Sequence, residues 1–483
     1  MAKLDAKTRK GLLKRLKESF SGLSECEELD LKEAYRLENK KVRLQMENYP
    51  LQLNVGPEGQ PLHVYPEQPI NLQKKYKTES YIIFDPKTYF KGGSGFLRIN
   101  SGKSLVLGKG KADQKQLLNL SQNIAERHLK IINDSGNLVF KNLDAKQGSC
   151  VSPLLKGKHL NRIRKWRLAK LKRLRSIIGG PIEMQSPDDA LALIKRVNKL
   201  MEKDPCREKD DRGRPGGVVQ LPADAIPLLV GDLHAKADNL LVALSQSCFL
   251  EALKKGCAAL VNLGDAVHCE DEVKLEEMES SMLIMDLIFE LKLRFPKQVF
   301  YLRGNHDSFS EEIGKRGVPQ GLLWKKALTK TRGKAYREEM ARFYDQLPYI
   351  AYSKNFIACH AGPPTRSTSR KELINIYKYP KLMHELTNNR IRRPNKPTGY
   401  FKSEVKKLRK YFGLASDTPV IVGHTPLTCD DTLWERVGEI DNHYVIYASY
   451  DKWVGVMAQV GDKVYPFRYP VEKLIPLINK IKV

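Results

Sequence analysis

The chain has 483 residues, room for roughly three units at about 150 residues per domain. With 41% hydrophobic and 29% charged residues its composition is that of a folded, water-facing protein, and no apolar run reaches the roughly 18 residues of a bilayer span. Lys and Arg number 83 against 56 Asp and Glu, a formal net charge of +27, so the expected partners are anionic: nucleic acid, phosphorylated protein, polyphosphate or acidic membrane.

The opening MAKLDAKTRKGLLKRLKESF mixes charged and apolar residues and has no hydrophobic stretch ending at a small-residue cleavage site, so a cytoplasmic location is expected. Residues 1–75 read as a helical or extended segment. The eight cysteines, at 26, 150, 206, 248, 257, 269, 359 and 429, never form a C-x-x-C pair. Most lie in apolar stretches, which argues against a disulfide framework or structural zinc. Between 76 and 155, YIIF, FLRI, SLVLG, HLKII and NLVFKNL alternate with Gly, Asn, Asp and Lys turns, the pattern of a small sandwich. The order LVLGKG, AERHLKI, LDAKQGSCV resembles a forkhead-associated (FHA) domain, whose loops bind phosphothreonine. His128 and Gly148 match that family; Lys109, Ala125, Gln147 and Ser149 stand where it has Arg, Ser, Asn and Thr. These departures remove a hydroxyl and a bidentate guanidinium. The resemblance implies an all-β FHA-like sandwich with a phosphopeptide as its partner.

The positive excess is local. Windows 151–180, 315–337 and 390–410 hold ten, eight and nine Lys or Arg, with Glu404 as their single acid. The first contains HLNRIRKWRLAKLKRLRSII (159–178), whose Leu160, Ile163, Trp166, Leu168, Leu171, Leu174 and Ile178 roughly follow one helical face before Gly179 and Gly180. Two readings stay open: a helix between domains with its apolar face docked, or a contact with acidic membrane or nucleic acid. Residues 204–217, DPCREKDDRGRPGG, read as an exposed linker, making 156–222 a basic helical connector and linker.

From 223 to 483 short apolar runs each end in a cluster of Gly, Asp, His or Asn. IPLLV precedes Gly231-Asp232-Leu233-His234, AALVNL precedes Gly264-Asp265, and QVFYL precedes Arg303-Gly304-Asn305-His306-Asp307. FIAC precedes His360, and PVIV precedes Gly423-His424-Thr425-Pro426. Such runs fit buried strands, with helical stretches at 239–255 and 275–293, so polar groups collect at strand carboxyl ends. Carboxylates, imidazoles and a carboxamide on separate loops suit a pair of divalent transition ions. Two ions about 3.5–4 Å apart need a bridging ligand, which an Asp on a glycine turn such as Asp265 can provide. They would activate water and carry charge during displacement at phosphorus, while a His off the metal protonates the leaving oxygen.

Taken together, GDLH, GD, RGNHD, CHAGP and GHTP resemble the ordered signature of calcineurin-like metallophosphoesterases, and within them the phosphoprotein phosphatase branch. The resemblance covers about residues 224–465 and implies an α/β fold of the αββα sandwich type. It makes Asp232 and His234 ligands of one metal, Asp265 the bridge, Asn305, His360 and His424 ligands of the other, and His306 the general acid. Manganese is the expected ion, with iron or zinc as alternatives. The family writes G-D-x-V-D-R-G where this chain has GDAVHCE, so His268 and Cys269 replace an Asp that supports the catalytic His and an Arg that holds phosphate. Asp307, Glu270 or Asp271 could orient His306, and Arg303 could contact phosphate. A further phosphate-binding Arg is sought in NNRIRRPNKPTGYFKSE, where Arg390, Arg392 and Arg393 are candidates. The expected activity is hydrolysis of phosphomonoesters on protein Ser, Thr or Tyr. Dinucleoside polyphosphates or nucleic acid are alternative substrates, and an adaptor with an inactive phosphatase domain is the non-enzymatic alternative.

Overall fold

The computed structural model describes residues 26–38, 41–44, 50–66, 80–86, 96–110, 118, 120–144, 146–154, 158–222, 225–245, 249–393, 397–429, 431–451, 453–460 and 463–481. The chain divides into two compact units, Met1–Trp166 and Arg167–Val483.

In the first unit β1 (Cys26–Leu29), β3 (Lys41–Leu44), β10 (Asn137–Asn142), β9 (Leu129–Asp134) and β8 (Ser104–Leu107) form a five-stranded sheet in that order. A six-stranded sheet runs β2 (Tyr35–Leu37), β11 (Ser149–Pro153), β4 (Leu51–Val55), β5 (Gln60–Pro66), β6 (Ser80–Phe84) and β7 (Leu97–Asn100). One apolar core, including Val42, Leu53, Val64, Ile83, Ile131 and Phe140, draws on both sheets. Strands therefore begin at Cys26, whereas the sequence reading starts the sandwich at 76; residues 1–25 lie outside the described residues. The signal in 41–66 is alternation: Val42 and Leu44, then Leu51, Leu53 and Val55, then Leu62 and Val64 are buried between half-buried polar neighbours. His128 is fully buried, its Nε2 lying 2.8 Å from Ser149 Oγ and 3.1 Å from the Gly56 nitrogen. Gln147 accepts from the Ala125 N–H and donates to the Asn123 carbonyl. The side chains of His128, Gln147 and Ser149 thus tie neighbouring segments together.

The second unit stacks two sheets. The seven-stranded one runs β12 (Arg207–Lys209), β13 (Pro215–Gln220), β17 (Ile350–Ser353), β18 (Phe356–Cys359), β19 (Val420–Val422), β21 (His443–Ile446) and β20 (Leu433–Glu435). The five-stranded one runs β16 (Val299–Tyr301), β15 (Ala258–Asn262), β14 (Ile226–Val230), β22 (Trp453–Val460) and β23 (Lys463–Pro470). Strand alternation supplies both faces of the larger sheet. Val219, Ala351, Ala358 and Ile421 enter the core shared with Leu229, Val261, Phe300 and Met457 of the smaller sheet. Their neighbours Val218, Ile350, Ile357 and Val420 pack instead with Leu373, Leu386, Val405 and Leu408 of helices Arg370–Ile374, Pro380–Asn388 and Lys402–Tyr411. Helices Ala237–Ser245, Phe249–Lys254 and Glu279–Arg294 pack with the smaller sheet, completing an αββα order.

Two expectations change here. Residues 204–217 are not an exposed linker: β12 and β13 form the edge of the larger sheet. The buried Arg207 guanidinium satisfies the carbonyls of Gly216 and Gln346, and a Cβ on Gly217 would overlap Ile376. Turn-rich composition marks a hairpin whose glycines are demanded by close approach. In helix Lys158–Ile178, Leu171 and Leu174 are buried, Lys170 reaches the Ser245 carbonyl at 3.0 Å, and Arg175 reaches the Ile478 carbonyl at 2.9 Å. Its second half is thus docked, yet Leu168 is 46% exposed and off the docked face, where Ile177 is buried. Leu160, Ile163 and Trp166 lie outside the described side chains.

Candidate metal centre and active site

Five loops carry the site, and all leave carboxyl ends of strands. β14, β15 and β16 run parallel and deliver Asp232 with His234, Asp265, and Asn305 with His306. β18 and β19, parallel in the other sheet, deliver His360 and His424. Backbone bonds lock the loops together: the Leu233 and His234 nitrogens donate to the Asp265 carbonyl at 3.0 and 2.9 Å, and the Gly423 nitrogen donates to that of His360 at 2.7 Å. Fit is tight enough to demand glycine. A Cβ on Gly304 would overlap Oδ1 of Asp265, and one on Gly423 would overlap Oδ1 of Asp232. His234, Asp265, His268 and His424 hold φ of 41°, 53°, 68° and 64°, a left-handed conformation that costs non-glycine residues energy and that surrounding contacts must enforce.

The ligand-bearing atoms form two buried triads, Asp232–His234–Asp265 and Asp265–His360–His424, each with its atoms within 4.8 Å of one another, and Asp265 belongs to both. His360 Nε2 lies 3.2 Å from Asp265 Oδ2 and 3.1 Å from Asn305 Oδ1. Carbonyls fix the rings: Leu263 accepts from His360 Nδ1 at 2.8 Å, and His268 accepts from His234 Nδ1 at 3.2 Å. Each Nε2 is thereby turned toward the cluster as a donor atom, the arrangement a metal-binding His requires. A Cys-free set of carboxylate, imidazole and carboxamide suits manganese, iron or zinc.

Charge points the same way. Burial pushes the Asp232 carboxyl up, against the pull of His360. Burial would also raise Asp265, but His360, His306 and His234 outweigh it and hold Asp265 ionised. His360 would be lowered by burial, yet Asp265 and Asp232 push it up to about 9. In the metal-free chain a proton on His360 therefore balances part of the buried negative charge, a task that suits a cation.

The cluster floors a cavity of about 300 Å³ lined by Asp232, His234, Asp265, Asn305, His306 and His424 and also by Glu270, Lys315, Arg390, Pro426, Tyr447 and Tyr450. All six expected metal-site residues and His306 are brought together: five of the six line the cavity with His306, and His360, fully buried, contacts Asp265 at 3.2 Å. Of the arginines only Arg390 lines the cavity, its Nη1 3.3 Å from Thr425 Oγ1. Arg303 instead lies over the Tyr344 ring at 5.3 Å, and Arg392 turns to the Gly399 carbonyl at 3.1 Å. Arg393 is exposed and is not among the described lining residues.

The carboxylates offered to orient His306 are engaged elsewhere. Asp307 accepts from the Tyr301 hydroxyl at 2.7 Å and from the Gly304 and Asp265 nitrogens; it braces the loops rather than the imidazole. Glu270 accepts from Tyr447 Oη at 2.5 Å and pairs with Lys315 at 3.0 Å. Burial opposes its ionisation, but His234, the Tyr447 hydroxyl and Lys315 bring Glu270 down to about 2. Asp271 holds Lys236 at 2.7 Å. The nitrogen facing His306 Nδ1, at 3.1 Å, is His268 Nδ1.

Lys315 and the His268 pairing escaped the sequence reading. Lys315 sits inside a basic window, and its signal was the turn Gly314-Lys315-Arg316-Gly317, which closes on Val318 through an isolated bridge. His268 stood inside the GDAVHCE departure and was read as a loss.

Residues 228–448 match the family model for calcineurin-like phosphoesterases. Among solved structures, a protein serine/threonine phosphatase from Saccharomyces cerevisiae is 13% identical, with 60% of this chain and 91% of that chain covered at a TM-score of 0.45. A cold-active protein-tyrosine phosphatase of a psychrophilic Shewanella is 12% identical, with 52% and 82% covered at a TM-score of 0.35. No curated protein matches the sequence.

Proposed function

We propose, from the premise that residues 228–448 are a calcineurin-like phosphoesterase domain, that this metallophosphoesterase hydrolyses phosphomonoesters on proteins. The observation that carries the reading is Asp265, shared by two buried Asp/His triads at the floor of the cavity. Asp232, His234 and Asp265 would hold one divalent ion, and Asp265, Asn305, His360 and His424 the other. Bound there, two such ions supply Lewis acidity toward phosphoryl oxygens and water.

The chain's own groups do the rest. Arg390 and Lys315, both lining the cavity, neutralise the phosphate and orient it by charge-assisted hydrogen bonds. Lys315 takes the part of the arginine that the Cys269 position lacks. His306 is anchored by its N–H to Asp265 Oδ1 at 2.8 Å, and its imidazole serves the leaving oxygen as general acid. A cavity of about 300 Å³ is at the small end of ligand sites, which favours a phosphorylated side chain over a whole dinucleotide. For the N-terminal unit, its two β-sheets around one core support the FHA resemblance, with docking of a phosphorylated partner as its role.

The test is a manganese-supplemented turnover panel. Phosphate release from phosphopeptides, with none from dinucleoside tetraphosphate or phosphorylated nucleic-acid ends, is expected. Loss of p-nitrophenyl phosphate hydrolysis in His306→Ala would accompany it. The reverse substrate order would replace protein with nucleotide as the substrate, and no metal-stimulated release from folded protein would leave the adaptor.

A further inference from the structure

We propose that His268 is a positioning residue that replaces the usual carboxylate: its Nδ1 shares one proton with His306 Nδ1 and holds that imidazole with Nε2 toward the leaving group. His268 has no freedom to swing. Its backbone N–H donates to Ser281 Oγ at 2.9 Å, its carbonyl accepts from His234, and its ring stands perpendicular to Trp324 with centroids 6.3 Å apart. Trp324 is fully buried and tied through Nε1 to the Tyr344 hydroxyl at 3.0 Å. His268 is itself fully buried, and among the described residues its Nε2 has no hydrogen-bond partner. Among the described residues, the hydrogen-bond partner of this ring is therefore the Nδ1 of His306.

Two facing imidazole nitrogens 3.1 Å apart form a bond only when a proton lies between them. Occupying Nδ1 leaves Nε2 as the free nitrogen of His306, which lines the cavity. The carboxylates that could compete, Asp307, Glu270 and Asp271, are held by Tyr301, Tyr447 with Lys315, and Lys236. A buried wall supporting one ring that supports another is how a site fixes a group without loading it with charge. The pair differs from Asp–His in that a neutral imidazole, unlike a carboxylate, brings no negative charge to the site.

The kinetic arm rests on the phosphomonoesterase reading; the spectroscopic arm does not. In full-length protein with histidine ¹⁵N labelling, a through-hydrogen-bond ¹⁵N–¹⁵N coupling between the His268 and His306 rings is expected. Its absence from a well-folded sample in which both ring signals are seen overturns the proposal. With manganese, His268→Leu should lower kcat on phenyl phosphate by about 10- to 100-fold with KM nearly unchanged. On 2,4-dinitrophenyl phosphate, whose leaving group departs without a proton, the fall should be under about 3-fold. His268→Asn keeps a polar δ atom at the same place and should retain most of the activity on both. Equal losses of His268→Leu on the two esters, or a defect in His268→Asn as large as in His268→Leu, would sink the idea. If His268→Leu does not fold, the coupling in the unaltered protein and the Asn variant decide. Absence of turnover in the unaltered protein counts against the phosphatase reading alone, because the coupling is read without substrate.

Discussion

At the residue scale, Asp265 is where the site is most vulnerable, because both triads use it. Asp265→Asn keeps an oxygen for the His306 N–H, 2.8 Å away in the parent, but removes the charge two cations would share. Bound manganese, measured by elemental analysis, should fall below one ion per chain, and phosphate release should drop by more than about 100-fold. The cavity cations are expected to act on binding. Arg390→Ala and Lys315→Ala should each raise KM about 10-fold, the size of one charge-assisted hydrogen bond, while Arg303→Ala, stacked on Tyr344, should stay within about 2-fold. Equal effects at all three positions would refute the assignment. The candidate ligand residues were legible in sequence because each lies in a short polar cluster at the end of an apolar run. The partner of His306 was not legible: which side chain faces it depends on a left-handed turn at His268 and on the competing engagement of three nearby acids.

At the scale of elements, basic windows were visible while their partners were not. Arg332 lies in the window 315–337, on helix Gln320–Asp345, yet it is almost fully buried and grips Asp286 of helix Glu279–Arg294 through two bonds of 2.7 and 2.5 Å. A charge count cannot separate that arginine from solvated neighbours, since the difference is made by a residue 46 positions away. Arg332→Met should destabilise the protein by about 3–5 kcal/mol in urea unfolding, because among the described residues Asp286 is left buried with the Gln185 N–H alone as hydrogen-bond partner. Replacing both, Arg332→Met with Asp286→Leu, should recover most of that loss. A double variant no more stable than the single one would show that the helices need the ion pair itself. The order of the hairpin at 207–220 is hidden from local composition for a related reason: it comes from Arg207 and from the Gln346 carbonyl, 139 residues away.

At the scale of the whole molecule, division into two units separates what the metal centre can stabilise from what it cannot. The sequence order of strand-end motifs made the αββα unit legible, because a parallel arrangement sends successive polar loops to one edge; the N-terminal boundary was obscured by short strands rich in charge. All the candidate ligands belong to Arg167–Val483, whereas Met1–Trp166 keeps its own core. Without cations, Asp232 and Asp265 stay buried side by side, balanced by His360. An ion that binds the folded cluster and not the unfolded chain adds about 2.7 kcal/mol at one hundred times its Kd, which for a unit of this size is a rise of about 4 °C in Tm. Calorimetry of the full chain should therefore resolve two transitions. Adding chelator should lower one by about 4 °C or more and leave the other in place, and manganese should restore it. A chelator that shifts both transitions together would mean that the two units unfold as one, and a chelator that shifts neither would remove the cations from the folded cluster.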